Sequence, residues 1–200
     1  MMANEKINFL LMKKLLMHAF QELLGKAESA LLFQPKNAVS SDRKIEEKSS
    51  GVWGKAIDET GIQLADKFEE IAARGLMIRA GRASLQILRK NSNIISNLGS
   101  IDNRLKPVKK RFADSLDTLA KFFSNDDVII NLIEEETYKY IWQIKTTSIN
   151  LSQYIPFYFF GLLEEFCGWL DARKDYQMFY SLADETIKNC EIHIEIRDPQ

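Results

Sequence analysis

The strongest constraint on this chain is a change of period in its apolar residues. Up to about residue 124 they recur every three or four positions, and from Val128 onward mostly every second one. A 3.6-residue period lines one stripe of a helix, whereas a period of two lines one face of a strand. The switch predicts an α+β fold, with N-terminal helices followed by an antiparallel sheet of two hairpins and a central buried helix between them.

In the helical part, Leu11, Leu15, Phe20 and Leu23 fall near helical spacing from Ile7 to Leu24, and Gly25 is a stop signal. The polar stretch "AVSSDRKIEEKSSG" reads as a mobile surface loop. Residues 53 to 90 are predicted helical in two pieces, broken near Ala73 to Gly75. After Pro107 a further helix is marked by Leu105, Val108, Phe112, Leu116, Leu119 and Phe123.

In the sheet part, Val128, Ile130 and Leu132 share one parity. After the turn signal "EEET", Tyr138, Tyr140, Trp142 and Ile144 share one parity against Lys139, Gln143 and Lys145. Pro156 opens a segment in which 11 of the 16 residues from Ile155 to Leu170 are apolar, too many for a surface helix. In the closing hairpin Tyr176, Met178, Tyr180 and Leu182 alternate, as do Cys190, Ile192, Ile194 and Ile196. The chain is expected to be a single domain over 1–200. It comprises N-terminal helices (5–33), the loop (34–52), a helical part (53–124) and the sheet with its central helix (125–197).

Charge excludes some partners. Lys plus Arg, 27, nearly cancels Asp plus Glu, 28, so no net field draws the chain to nucleic acid. No apolar run approaches the roughly 20 residues that span a bilayer. "INFLLMKKLLMHAF" does not read as a signal peptide, and two cysteines 23 positions apart read as reduced thiols in a cytoplasmic protein.

Residues for chemistry are sparse. Neither His18 nor His193 has a cysteine or carboxylate at metal or triad spacing. Glu164 and Glu165 diverge around a helix and read as its solvated edge. "RLKPVKKR" has five basic residues in eight and reads as the polar side of a helix start. In "RAGRA" the small residues Ala80, Gly81, Ala83 and Ser84 allow a helix or a ligand to approach closely, while Arg79 and Arg82 stand ready for Glu134 to Glu136 or an acidic ligand group. Aromatic residues concentrate in the C-terminal third, as a core layer or an apolar pocket. Cys190 shares the parity of three isoleucines and is expected to be a buried, unreactive thiol.

Together "GLMIRAGRASLQILRK", "YIWQI", "FFGLLEEFCGWL" and "NCEIHI" resemble the 4-vinyl reductase or hydrocarbon-binding domain family, whose superfamily includes TRAPP transport subunits and ligand-sensing domains of aromatic-responsive activators. The resemblance spans about residues 5 to 197. It implies an α+β domain, often a homodimer, that binds small apolar molecules, with some members linked to vinyl reduction on bacteriochlorophyll precursors. It also implies a zinc site, of which Cys190 alone is matched. Ser152 stands where the first cysteine would fall, Ser181 or Leu182 stand in the hairpin, and "DETIKN" replaces the turn. One thiolate cannot hold zinc in its usual four-ligand array, so Cys190 would be a remnant and no metal is expected.

These observations predict a non-catalytic binding domain for a small hydrophobic molecule, a pigment precursor, lipid or aromatic compound, as sensor or carrier, with no cofactor. Its candidate ligand-binding residues are Arg79, Gly81, Arg82, Trp142, Phe157, Phe160, Gly161 and Trp169. The alternatives are an assembly subunit with a closed pocket and a protein partner, or an accessory to tetrapyrrole vinyl reduction, for which no hydride-donor site is visible.

Overall fold

The structure is a computed structural model that describes residues 7–33, 53–126, 128–146, 153–172, 175–182 and 189–197. The expected 34–52 loop, Ser152 and most of "DETIKN" lie outside the described residues. Eight helices and four strands are present among those residues, and the α+β architecture is as expected. None of these helices is long and apolar enough to cross a membrane.

Helix α1 (Phe9–Leu24) begins where the Asn8 side chain accepts a 2.9 Å hydrogen bond from Leu11 N, and ends at Gly25, whose φ of 86° suits a residue without Cβ. Then follow α2 (Lys26–Leu32), α3 (Trp53–Phe68) and α4 (Glu70–Asn91). The α3–α4 break lies at Glu69 (φ 70°), not near Ala73 to Gly75. Gly75 is accommodated inside α4, and the break is held by Tyr154, which donates to Glu70 Oε2 at 2.7 Å. Two short helices, α5 (Asn93–Leu98) and α6 (Ile101–Leu105), were not expected. Their start signals are legible, since Ser92 and Ser100 cap them. Leu105 ends α6 and is 78% exposed, because Pro107 separates it from the apolar stripe of α7 (Val108–Phe123). That stripe buries Phe112, Leu116, Leu119, Ala120 and Phe123.

Strands β1 (Val128–Glu136) and β2 (Lys139–Thr146) form the first hairpin; α8 (Ile155–Leu170) and the pair β3 (Asp175–Leu182) and β4 (Asn189–Arg197) follow. Of the "EEET" segment only Thr137 lies in the turn. β1 continues through Glu136 with a register shift there, and the chain reverses at Thr137 and Tyr138. Lys109 and Lys139 pair with Glu134 and Glu136, respectively, offsetting the acidic run. The sheet is antiparallel in the order β1-β2-β4-β3. Its inner face carries Trp142, Ile144, Cys190, Ile192 and Ile194, all 0–1% exposed, beneath the helices.

Helices α4 and α8 cross at two glycines. A Cβ on Gly81 would overlap Tyr158 O and lie 2.8 Å from Leu162 N; one on Gly161 would overlap Ile78 O and lie 2.7 Å from Ile78 C. Only residues without side chains permit this approach. It seats α8 deeply enough to bury ten of its sixteen residues. Phe159 then reaches the centre, with ring centroids 5.1 to 5.3 Å from Phe123, Trp142, Trp53 and Tyr158. Both indole N–H groups are satisfied by carbonyls, Trp53 to Phe123 O at 2.8 Å and Trp142 to Leu116 O at 3.4 Å.

A side chain at the crossing should cost more than ordinary overpacking allows. Gly81→Val is expected to lower the unfolding free energy by roughly 3 kcal/mol or more. Gly75→Ala, which meets nothing within 4 Å, should raise it by about 0.5–1 kcal/mol. Urea unfolding followed by circular dichroism measures both, and a near-neutral Gly81→Val would show that the crossing opens freely.

Candidate functional site

Helices α1 and α4 pack together but leave a cavity of about 250 Å3 between them. Its lining is Leu11, Lys14, Leu15 and His18 from α1, and Ile87, Leu88 and Asn91 from the end of α4. Positions 11, 14, 15 and 18 follow the i, i+3, i+4, i+7 rule, so they form one stripe of α1. The floor is apolar: Leu15 and Leu88 are 5% and 3% exposed. The rim is polar, with Lys14, His18 and Asn91 exposed. Asn91 is fixed by donating to Ile87 O at 2.9 Å. The lining contains no carboxylate or thiol, so it offers donors and apolar surface but no acid–base pair.

A second, more open cleft of about 390 Å3 is lined by Arg104, Arg111, Trp169, Leu170, Asp171 and Ala172. Arg111 is buried and donates to Asp171 Oδ2 at 2.6 Å and to Arg104 O at 3.1 Å. The ion pair ties the first turn of α7 to the end of α8.

The eight residues expected to hold a ligand occupy several surroundings. Gly81 and Gly161 meet protein backbone at the helix crossing, and Trp142 is inside the aromatic core. Arg82 donates to Glu164 Oε2 from Nε at 3.0 Å and Nη2 at 2.5 Å, so its partner lies on α8 and not in the Glu134 to Glu136 turn. Glu165 accepts from Gln86, so both carboxylates face α4 and are not merely a solvated edge. Arg79 is exposed, and Phe160 is half-buried on α8. Phe157 lies 5.2 Å from Tyr180 with Arg74 above its ring. Trp169 packs on Phe166 under the Arg89 guanidinium, and of the eight only it lines either cavity described above. The α1–α4 lining was missed at the sequence level, where its signal is Lys14 and His18 interrupting an otherwise apolar helical stripe.

Both thiols are fully buried, and burial pushes Cys167 and Cys190 up to about 12. They are protonated packing groups at neutral pH. Among the described residues no three His, Cys, Asp or Glu side chains are placed to hold a metal ion.

The class defined by this architecture is an α+β fold with helices over one face of a four-stranded antiparallel sheet. No family model matches the sequence, and no curated protein matches it. Solved structures do. A single-residue variant of an H-NOX protein from K. algicida, crystallised as Fe(II) unliganded, is 9% identical with a TM-score of 0.61, covering 96% of this chain and 97% of that one. An oxygen-binding H-NOX domain related to soluble guanylate cyclases, in its oxygen complex, is 8% identical with a TM-score of 0.57, covering 96% of each. A variant of Tt H-NOX is 9% identical with a TM-score of 0.56, covering 97% of each. At such identities the likeness concerns the fold alone.

This overturns the resemblance to the 4-vinyl reductase and TRAPP-like families, and with it the reading of Cys190 as a zinc remnant. The segments that carried the resemblance are packing segments. "RAGRA" and "FFGLLEEF" are set by the α4–α8 crossing, and "YIWQI" and "NCEIHI" by strand alternation beneath it. They describe an arrangement of elements, which chains of different families share.

One solved relative of this fold is described in terms of haem redox potential and porphyrin distortion. Haem iron takes a His, Cys, Met or Tyr ligand from the protein. Of the two cavities described, only the α1–α4 one presents such a side chain, His18, and its 250 Å3 falls below the roughly 300–1,000 Å3 of drug-sized ligand pockets. The interior is filled by Trp53, Trp142, Phe123 and Phe159, and His193 stacks on Phe179 on the sheet's other face. The described residues do not fit a haem.

The buried thiols set a pH dependence. In the unfolded chain they ionise near about 8.5, while the folded state keeps its protons, so the unfolded state binds fewer protons and stability falls as pH rises. The expected slope is about 1.4 kcal/mol per pH unit per thiol between roughly pH 9 and the folded value of about 12. Urea midpoints measured across this range should fall, and the double variant Cys167→Ala, Cys190→Ala should show a shallower fall. Identical slopes would show that the thiols are solvated in the folded chain.

Proposed function

We propose that this chain is a non-catalytic binding domain, acting as sensor or carrier, for a small molecule with an apolar body and an acidic or acceptor head group. The carrying observation is the α1–α4 cavity. Leu11, Leu15, Ile87 and Leu88 supply apolar surface, and Lys14, His18 and Asn91 supply donors at one rim. An apolar hollow with a few convergent polar groups orients a ligand by its head while burial of its body provides affinity. At roughly 30 Å3 per water-sized unit, the volume suits a molecule of on the order of ten non-hydrogen atoms. The oxygen complex of one H-NOX domain supports small-ligand binding as a use of this fold, without indicating the ligand here. An aromatic acid or short fatty acid matches the cavity better than a pigment precursor does.

The test is extraction of protein purified from its native host, followed by mass spectrometry, with titration of benzoate and octanoate into the extracted protein. A stoichiometric small acid, or saturable binding of either probe, is expected. Ile87→Trp, which plugs the mouth from a half-buried position, should abolish binding, and Lys14→Ala should weaken it about fivefold. Retained binding in Ile87→Trp, or no extracted compound together with no probe binding, would sink the proposal.

A further inference from the structure

The outer face of the sheet, turned away from the helices, carries an apolar row across all four strands. Strand register places Ile133, Ile141, His193 and Phe179 side by side. The two outer members are exposed, Ile133 at 40% and Phe179 at 52%, while Ile141 at 6% and the half-buried His193 are packed between them, and Phe179 stacks flat on His193 at 4.5 Å. None of these four belongs to the core beneath the helices. Exposed apolar rows on a sheet are docking surfaces or aggregation hazards.

Charge on the same face is divided by strand. The outward residues of β2 include Lys139 and Lys145, and those of the neighbouring β4 include Glu191 and Glu195. Lys139 is paired with Glu136 and Glu195 with Arg197, while Glu191 accepts from Gln143. The first two are exposed pairs of the kind that exchange partners at little cost.

We propose that a second copy of this chain docks face to face on this sheet, about a two-fold axis running along the strands between β2 and β4. The charge pattern selects that axis. A rotation about it lays β2 over the partner's β4 and β1 over the partner's β3. Lys139 then opposes Glu195 of the partner subunit, Ile141 opposes the partner's His193, and Ile133 opposes the partner's Phe179. A two-fold axis across the strands would instead lay β2 on β2 and β4 on β4, bringing the two lysine-bearing strands together and the two glutamate-bearing strands together. Such an isologous contact is closed, so the apolar row is consumed without polymerising.

Area is sufficient. Four strands about 4.8 Å apart and eight residues long at about 3.3 Å each present roughly 500 Å2, so the pair buries about 1,000 Å2. That is the lower bound for a specific interface, and an affinity on the order of micromolar is expected.

Sedimentation equilibrium of the full chain should show a monomer–dimer equilibrium that weakens with salt. Phe179→Glu and Glu195→Lys should each raise the dissociation constant about tenfold or more while leaving the circular dichroism unchanged. Adding Lys139→Glu to Glu195→Lys should restore the dimer, because the pairing is recreated with its signs exchanged. A chain that stays monomeric at high concentration would overturn the proposal. So would a dimer indifferent to Phe179→Glu, or a double variant no tighter than Glu195→Lys.

Discussion

The approach of α8 to α4 at Gly81 and Gly161 is the constraint on which the rest of the structure depends. Backbone meets backbone there, so the distance between the two helices is fixed by covalent geometry and not by adaptable side chains. That distance determines how far Phe159 descends. Phe159 in turn is the ring about which Trp53, Phe123 and Trp142 arrange their edges. Through Trp142 the crossing reaches β2, and through Trp53 it reaches α3. A helix interior normally loses stability at glycine; here the loss is offset by the burial that close approach makes possible.

A core closed in this way has consequences for binding. Edge-to-face rings at 5.1 to 5.3 Å fill the space around Phe159, although aromatic density is also how apolar pockets are built. Space appears instead where the packing is least constrained, between α1 and the last turn of α4. The carbonyl of Leu88 is already used by Ser92 there, and the chain turns away into α5. The buried Arg111–Asp171 pair closes the C-terminal end of α8, where Trp169 meets Arg89 of α4. Asp171 meets Arg111 at 2.6 Å and Arg104 O accepts a further bond, while the Arg111 Nε is buried without a hydrogen bond; the pair fastens α7 to the end of α8 and leaves no free charge.

The fold was legible in the sequence because period is a direct image of burial. The change from 3.6 to 2 located the end of α7 and the start of β1, and the apolar excess of "FFGLLEEFCGWL" located the buried helix. Punctuation was less reliable. Glu69 breaks the helices at a positive φ that no glycine announces, and "EEET" reads as a turn although its glutamates extend β1, where Lys109 and Lys139 offset Glu134 and Glu136. The candidate site was harder to see. Aromatic and glycine residues stand out by their rarity, yet rarity marks what is expensive to place, and here most were spent on the core. Lys14 and His18 are unremarkable residues in an ordinary helix, and they become a site only through Ile87 and Asn91, seventy positions away. Family resemblance failed for the same reason, since it was carried by segments that packing alone accounts for.

Rigidity at one helix pair and openness at another set what a bound molecule is able to move. Helix α4 is held by α8 through the glycines and by α3 through the packing beside Tyr154, so it is the fixed wall of the cavity. Helix α1 is the other wall, and its principal contacts are with α2, α3 and α4 and none with the sheet. A ligand that favours a wider or narrower cavity would therefore act on α1 first, and on the aromatic centre only through α3, which carries Trp53. By linkage, any influence on the outer sheet face would have to pass through the one unit built to resist deformation. The geometry thus favours two independent surfaces on one scaffold, a yielding cavity at α1 and a preformed apolar row on the sheet, with the glycine crossing holding them apart.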